Sequence, residues 1–428
     1  MRIRTLLILL ALAIGLGLWP LFPARRAARD PLGRLACLYE ECRYFELRDG
    51  LADLEADPAP DLEFFRGAVD QVFNRLEPAV RRLKGYLNAG RSGPPRMLMK
   101  EAWVLIADAY RRLGRYGDAA EAYRQALLRF GPVLDREERT NLENHVELWS
   151  ALAGVPGQTV EIAANTTVRM TERRFPVRVT GRTVLFGYDT GSNVCILYAS
   201  AAAELGIESF GPPVRVQTGS GYPVEGRIGL VPEMGWGSVR LGNVLVLVLP
   251  DELFPDGTER PGAGRKGLLG MPVLEALKEV TETRGGDLIV PARPASRPGR
   301  NMCLSGLMPV VEAVHRGVRL RLCVDTGAAT TSLFPPYYRR FRGEINSRAR
   351  VRESTVGGIG SSRRVPVRLL DEFAFRAGGK DFALRRIMVQ TAETHADSRY
   401  FDGTIGVDIL SLCSRMTLDF ASMAFVLE

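Results

Sequence analysis

Two aspartates in this 428-residue chain sit in the same small setting. Val184-Leu185-Phe186-Gly187-Tyr188 leads into Asp189-Thr190-Gly191-Ser192, and Leu320-Arg321-Leu322-Cys323-Val324 leads into Asp325-Thr326-Gly327-Ala328. Further on, each half carries an apolar stretch closed by glycine, Leu268-Leu269-Gly270 and Thr404-Ile405-Gly406. Residues 268 and 404 each lie 79 positions after the aspartates at 189 and 325. Upstream, Phe175-Pro176-Val177 and Met308-Pro309-Val310 stand at nearly equal offsets. One Asp-Thr-Gly is weak information; two, each behind a strand-like run and each with the same downstream glycine, indicate a duplication. The chemistry open to such a pair is specific. Two carboxylates about 3 Å apart cannot easily both ionise, so one keeps a proton while the other acts as a base. Titrating as a unit, they can deprotonate a water and protonate a leaving group without a metal or a nucleophilic side chain.

Other chemistries find little support. The cysteines Cys37, Cys42, Cys195, Cys303, Cys323 and Cys413 form no CxxC pair, and His145, His315 and His395 stand apart from them and from each other. A zinc site is not expected, nor any other metal or cofactor. Disulfides are permitted by the even count, but buried thiols are the preferred reading. No Gly-x-Ser-x-Gly elbow accompanies the histidines, and Asp371, Glu372 and Asp402 read as solvated surface groups. The net charge of +8 comes from arginines scattered along the chain rather than gathered on one element. Nucleic acid is therefore not expected as a partner, whereas an anionic membrane surface would suit the excess.

Several elements must carry these residues. Residues 5–24 hold no charge between Arg2 and Arg4 on one side and Arg25, Arg26 and Arg29 on the other. Twenty such residues just span a bilayer, so residues 1–30 read as a signal anchor with the body outside the cytoplasm, a cleaved secretory signal being the second choice. Residues 31–153 have helical periodicity. Trp103, Ile106, Ala107 and Tyr110 share one face, Leu113–Tyr116 makes a turn, and Ala119, Ala120, Tyr123, Ala126 and Leu127 line a second helix. This pattern over residues 100–132 resembles a tetratricopeptide repeat, with Leu62–Leu87 as a degenerate copy and Leu134–Leu152 as a cap. Such a region implies a possible protein partner. Past Gly154-Val155-Pro156-Gly157 the texture turns to β, as in Val244–Leu249. The expected division is 158–292, a linker at 293–300 with the composition of Ala292–Arg300, and 301–428.

From about residue 160 onward the duplicated motifs resemble the retropepsin and pepsin families of aspartic proteases. The resemblance implies a multidomain α+β chain: an anchor, helical hairpins, then two all-β closed-barrel lobes forming one bilobal site. Asp189 and Asp325 would meet across a pseudo-twofold axis and share a water. Thr190 and Thr326 would brace the turns across the interface, while Gly191 and Gly327 permit their tight backbone. The glycine-closed strands would cross behind the turns, with Asp408 as the N-cap of the next helix and Pro272 in a first turn. The Ser192 hydroxyl would bond Asp189 and favour its anion, leaving Asp325, followed by Ala328, as proton carrier.

A flap over the cleft is expected from Thr218-Gly219-Ser220-Gly221-Tyr222 and from Val356-Gly357-Gly358-Ile359-Gly360, with Tyr222 as a flap tyrosine or the whole as ordinary hairpins. The function implied is an endopeptidase acting on extended protein or peptide substrates, with both aspartates supplied in cis by one chain. The alternatives are a catalytically silent scaffold that uses the same regions for binding, and halves that each pair with a second chain.

Overall fold

The computed structural model describes residues 31–54, 59–89, 96–253, 265–395 and 397–428. The expected anchor over residues 1–30 lies outside the described residues. Among those described, no helix is long and apolar enough to cross a membrane. The chain divides into two compact units, one made mainly of residues up to Gly157 and one that begins at Gln158.

The first unit is a run of antiparallel helices. Its best-formed hairpin joins Arg96–Arg112 to Tyr116–Phe130, and Gly114 takes the left-handed backbone (φ 72°) that reverses the chain between them. Ala107, Ala109, Ala119, Ala122 and Ala126 are buried where the helices approach, and small side chains permit that approach. Helices Pro60–Val72 and Leu76–Asn88 form a second hairpin, and Arg136–Ala151 packs on Tyr116–Phe130. Polar side chains at the centre of this stack find partners within it. The Tyr123 hydroxyl donates to Asp108 Oδ1 at 2.7 Å, and the His145 ring stacks on Tyr123 at 4.5 Å. Burial lowers His145 to about 4, so it stays neutral at pH 7.

The second unit is β-rich. In its first half, the strands 239–249, 195–198, 265–269, 182–188, 175–179 and 223–236 are joined in that order, and 223–236 pairs back onto 239–249 to close the ring. The second half repeats the plan. Strands 308–315, 318–324, 403–405, 332–333, 380–390 and 361–377 follow one another, and 361–377 closes onto 308–315. Alternation along Phe175–Val179, with Phe175, Val177 and Val179 buried, fills the inside of the first ring with apolar side chains.

A third sheet belongs to both halves. Its order is 166–169, 287–290, 279–283, 415–419, 424–427, so the first half meets the second where Glu279–Thr283 pairs antiparallel with Arg415–Asp419. Thr281 faces Thr417 at the centre, with their hydroxyls 2.7 Å apart. These two threonines are separated by the same 136 positions as the two aspartates, which places them on the axis relating the halves.

The stretch expected to be a bare linker is anchored to this sheet. The register sets Glu279 opposite Asp419, two buried carboxylates side by side. Arg297 answers both, with Nη1 at 2.7 Å from Glu279 Oε2 and 2.8 Å from Asp419 Oδ2, and Nη2 at 2.8 Å from Glu279 Oε1. Two like charges taken out of water need such a partner. Asp402 also departs from expectation. It is buried rather than solvated, accepting from the Arg321 amide at 2.9 Å and lying 3.4 Å from Arg340 Nη1. Asp371 and Glu372 are exposed, as read from sequence.

Candidate active site

Each Asp-Thr-Gly turn is set by the strand before it and by the glycine-closed strand behind it. Arg182–Tyr188 runs parallel to Arg265–Leu269, and the Asp189 amide donates to the Leu269 carbonyl at 2.9 Å. Val318–Val324 runs parallel to Gly403–Ile405, and the Asp325 amide donates to the Ile405 carbonyl at 3.0 Å. Next, the Met271 amide reaches the Ser192 carbonyl at 2.8 Å, and Val407 reaches Ala328 at 3.0 Å. The crossing is tight enough to require glycine. A Cβ on Gly270 would lie 2.1 Å from the Val194 carbonyl oxygen, and one on Gly406 would lie 2.6 Å from the carbonyl carbon of Thr330. That is the physical reason for the paired glycines seen in the sequence.

The two turns interlock. The Thr190 amide donates to Thr326 Oγ1 at 3.0 Å, and the Thr326 amide donates to Thr190 Oγ1 at 2.9 Å. Thr190 Oγ1 in turn donates to the Val324 carbonyl at 2.7 Å. Both threonines are buried, so these bonds form away from competing water.

The carboxylates meet in front of this lock. Asp189 Oδ1 accepts from the Gly191 amide at 2.7 Å and from Gly327 across the axis at 3.1 Å. Asp325 Oδ1 accepts from Gly327 at 2.9 Å and Ala328 at 3.2 Å. The Gly327 amide is thus shared by both acids. A Cβ on Gly191 would come within 2.5 Å of Asp325 Oδ1, and one on Gly327 within 2.5 Å of Asp189 Oδ2. Gly327 itself is exposed, so the pair opens to solvent on one side. Asp325 is held well above the usual carboxylate range, first by loss of hydration and then by the charge and hydrogen bond of Asp189, against the lowering pull of the Gly327 and Ala328 amides. Among the described residues, no cluster of three His, Cys, Asp or Glu side chains could hold a metal ion.

Some expected roles fall elsewhere. The Ser192 hydroxyl donates to the Val194 carbonyl at 2.7 Å, so its proton is not directed at Asp189; the turn folds back on itself and offers a nearer acceptor. Asp408 does not cap the following helix, which is a short 3-10 turn with Gly406 at its N-cap. Its carboxylate instead takes the Thr331 amide at 2.9 Å and hydroxyl at 2.7 Å, and Thr331 Oγ1 accepts from the Gly406 amide at 3.1 Å. In the first half Cys195 holds the equivalent place, accepting from the Gly270 amide at 3.3 Å. Pro272 does lie in the first turn of Met271–Ala276.

The glycine-rich turns form the tips of two hairpins, Ser209–Gln217 with Pro223–Trp236 and Arg350–Gly358 with Ser361–Ala377. The tips touch each other. The Ser220 and Ser361 hydroxyls are hydrogen bonded, and a Cβ on Gly358 would fall 2.8 Å from the Ser220 nitrogen and 2.9 Å from that of Gly219. A Cβ on Gly221 would meet the Thr394 carbonyl at 2.6 Å. Gly357 and Gly360 complete the second tip. Tyr222, the expected flap tyrosine, is 53% exposed, whereas its neighbour Ser220 is fully buried in the seam.

Sequence reading missed one group behind the first turn. The Tyr188 hydroxyl donates to Glu282, whose carboxylate also takes Arg173 Nη1 at 2.6 Å, with the guanidinium 5.5 Å from the Tyr188 ring. Tyr188 and Glu282 are buried and tie the residue before Asp189 to the shared sheet. No spacing connects positions 173, 188 and 282, so only the fold reveals them.

Among solved structures, a retropepsin-like aspartic protease from Rickettsia conorii is similar at 17% identity over 31% of this chain and 92% of that one, with a TM-score of 0.21. No curated protein matches. Residues 175–273, which run from the strand before the first turn through the glycine crossing behind it, match the aspartyl protease family.

Proposed function

We propose that the chain is an aspartic endopeptidase in which a water held between Asp189 and Asp325 attacks the peptide bond of an extended substrate. The observation that carries this reading is the carboxylate pair, joined through the shared Gly327 amide with Asp325 biased toward its protonated form. In this reading Asp189, as the anion, takes the proton from the water while Asp325 gives its own to the carbonyl oxygen. The pair then resets when the amine leaves. The two closed β halves act as retropepsin-like lobes, and the touching hairpin tips cover the cleft and part to admit substrate. The helical region serves as a tetratricopeptide-like platform for a protein partner. Residues 1–30 tether the molecule with its body outside the cytoplasm, which protease protection of intact cells or vesicles would check.

The deciding experiment digests a peptide library with the wild type and with Asp189→Asn and Asp325→Asn. Each substitution should lower turnover by about 10³-fold or more while leaving the circular dichroism unchanged. Near-normal cleavage by either variant would refute the shared-water mechanism.

A further inference from the structure

The two hairpins that meet at their tips differ in charge. The first, Ser209–Trp236, carries Arg215 and Arg227 against Glu225 and Glu233, and Arg215 Nε lies 2.9 Å from Glu225. The second, between residues 350 and 368, carries Arg350, Arg352, Arg363, Arg364 and Arg368 against Glu353 alone. Among the described residues, none of these five arginines lies within 4.0 Å of a carboxylate. The strand Arg350–Gly358 is also the last of its sheet, bonded on one side to Ser361–Ala377. Arg350, Val351, Arg352, Glu353 and Thr355 are exposed along it.

An edge strand presents unpaired N–H and C=O groups to any extended chain. Charge normally guards such an edge, and here the guard is of one sign, so it repels basic strands and attracts acidic ones. The register spreads the arginines over both faces of the hairpin. Arg350 and Arg352 stand opposite Leu369 and Val367, while Arg364 and Arg368 stand opposite Thr355 and Val351 on the other face. A strand added at this edge sends alternate side chains to the two faces, so each face finds a guanidinium.

We propose that residues 350–358 dock an extended, acidic segment of polypeptide by strand addition, with its carboxylates against these arginines. This deepens the peptidase reading and rests on it for the fate of the docked chain, though not for docking itself. The test uses full-length Asp325→Asn and fluorescence anisotropy of a labelled peptide of alternating Glu and Thr, beside its Gln counterpart and a backbone N-methylated Glu version. At about 50 mM salt the Glu peptide should bind about tenfold or more tighter than the Gln peptide, and the gap should narrow at about 300 mM. Arg352→Gln with Arg364→Gln should remove most of the preference, and the N-methylated peptide should bind poorly. Equal affinity for the Glu and Gln peptides, or a preference untouched by the double substitution, would overturn the proposal. So would full affinity of the N-methylated peptide, or binding to phosphatidylglycerol vesicles with no peptide preference. Acidic preference beside an inactive wild type would sink the peptidase reading alone, whereas cleavage with no preference would sink this one alone.

Discussion

The two halves of the β unit match where backbone geometry rules and differ where it does not. Their turns share the Asp-Thr-Gly sequence, the glycine crossing and the same main-chain bonds to the strand behind. Around that skeleton the side chains diverge. Tyr188 with Glu282 and Arg173 supports the first turn from behind, while Val324 precedes the second. Cys195 receives the Gly270 amide where Thr331, backed by Asp408, receives that of Gly406. The skeleton brings two acids together, and the side chains around it are free to differ because no close approach constrains them. Symmetry is thus confined to the atoms that must superpose.

The skeleton can be tested by breaking it at equivalent points. Gly191→Ala and Gly327→Ala each drive a methyl against the opposite carboxylate, and displacement of a reacting group by about 1 Å can cost about 10²-fold in rate. Both should lose at least that much kcat, measured on a cleaved peptide. Tolerance of one alone would show that the halves are not equivalent there. The lock is expected to be less even. Thr190→Val removes two hydrogen bonds and Thr326→Val one, so urea unfolding should show the larger loss for Thr190→Val. Each buried group left unpaired costs about 1–3 kcal/mol.

Asp325→Asn sharpens the contrast between the acids. A carboxyl whose folded pKa is raised binds its proton more tightly folded than unfolded. Its contribution is complete below the unfolded carboxylate range and is lost as pH rises through the folded value. The neutral amide avoids that loss. The variant should therefore melt higher than wild type at pH 7, by roughly 2–4 °C per kcal/mol, with the gap shrinking toward pH 4. A gap that grows on acidification would reverse the proton assignment. The smallest effect is expected from Ser192→Ala. With its hydroxyl directed at Val194, the variant should lose about 0.5–1.5 kcal/mol of stability and keep the acid limb of its pH–activity curve in place.

What the sequence displayed was whatever the backbone forces on local residue choice. Glycine two positions after each aspartate, and again 81 positions after it at 270 and 406, is imposed by close approaches that leave no room for a Cβ, and the threonine between is set by the hydrogen bonds across the axis. The β-branched run Val244–Leu249 was equally readable and lies in the strand Val239–Leu249. Arrangements that depend on distant partners were hidden. Asp402 sits before a glycine and looks like an exposed turn; it is buried because the Arg321 amide and Arg340, far off in sequence, supply its hydrogen bond and countercharge. Arg297 lies among prolines and serines that suggest a loose connector, and its role appears only once Glu279 and Asp419 are side by side. Ser192 was misread for a related reason, since rotation about one bond chooses between two acceptors.

The five-stranded sheet has a consequence in time. Its central pairing joins residue 281 to residue 417, and the threonine lock joins 190 to 326. The first cannot form until residue 417 has been made, nor the second until residue 326, and contacts so far apart in sequence are slow to close. The two carboxylates are therefore expected to come together late in folding. A nascent chain that has not reached residue 325 holds Asp189 without its partner, and the pair exists only once the second half has folded against the first.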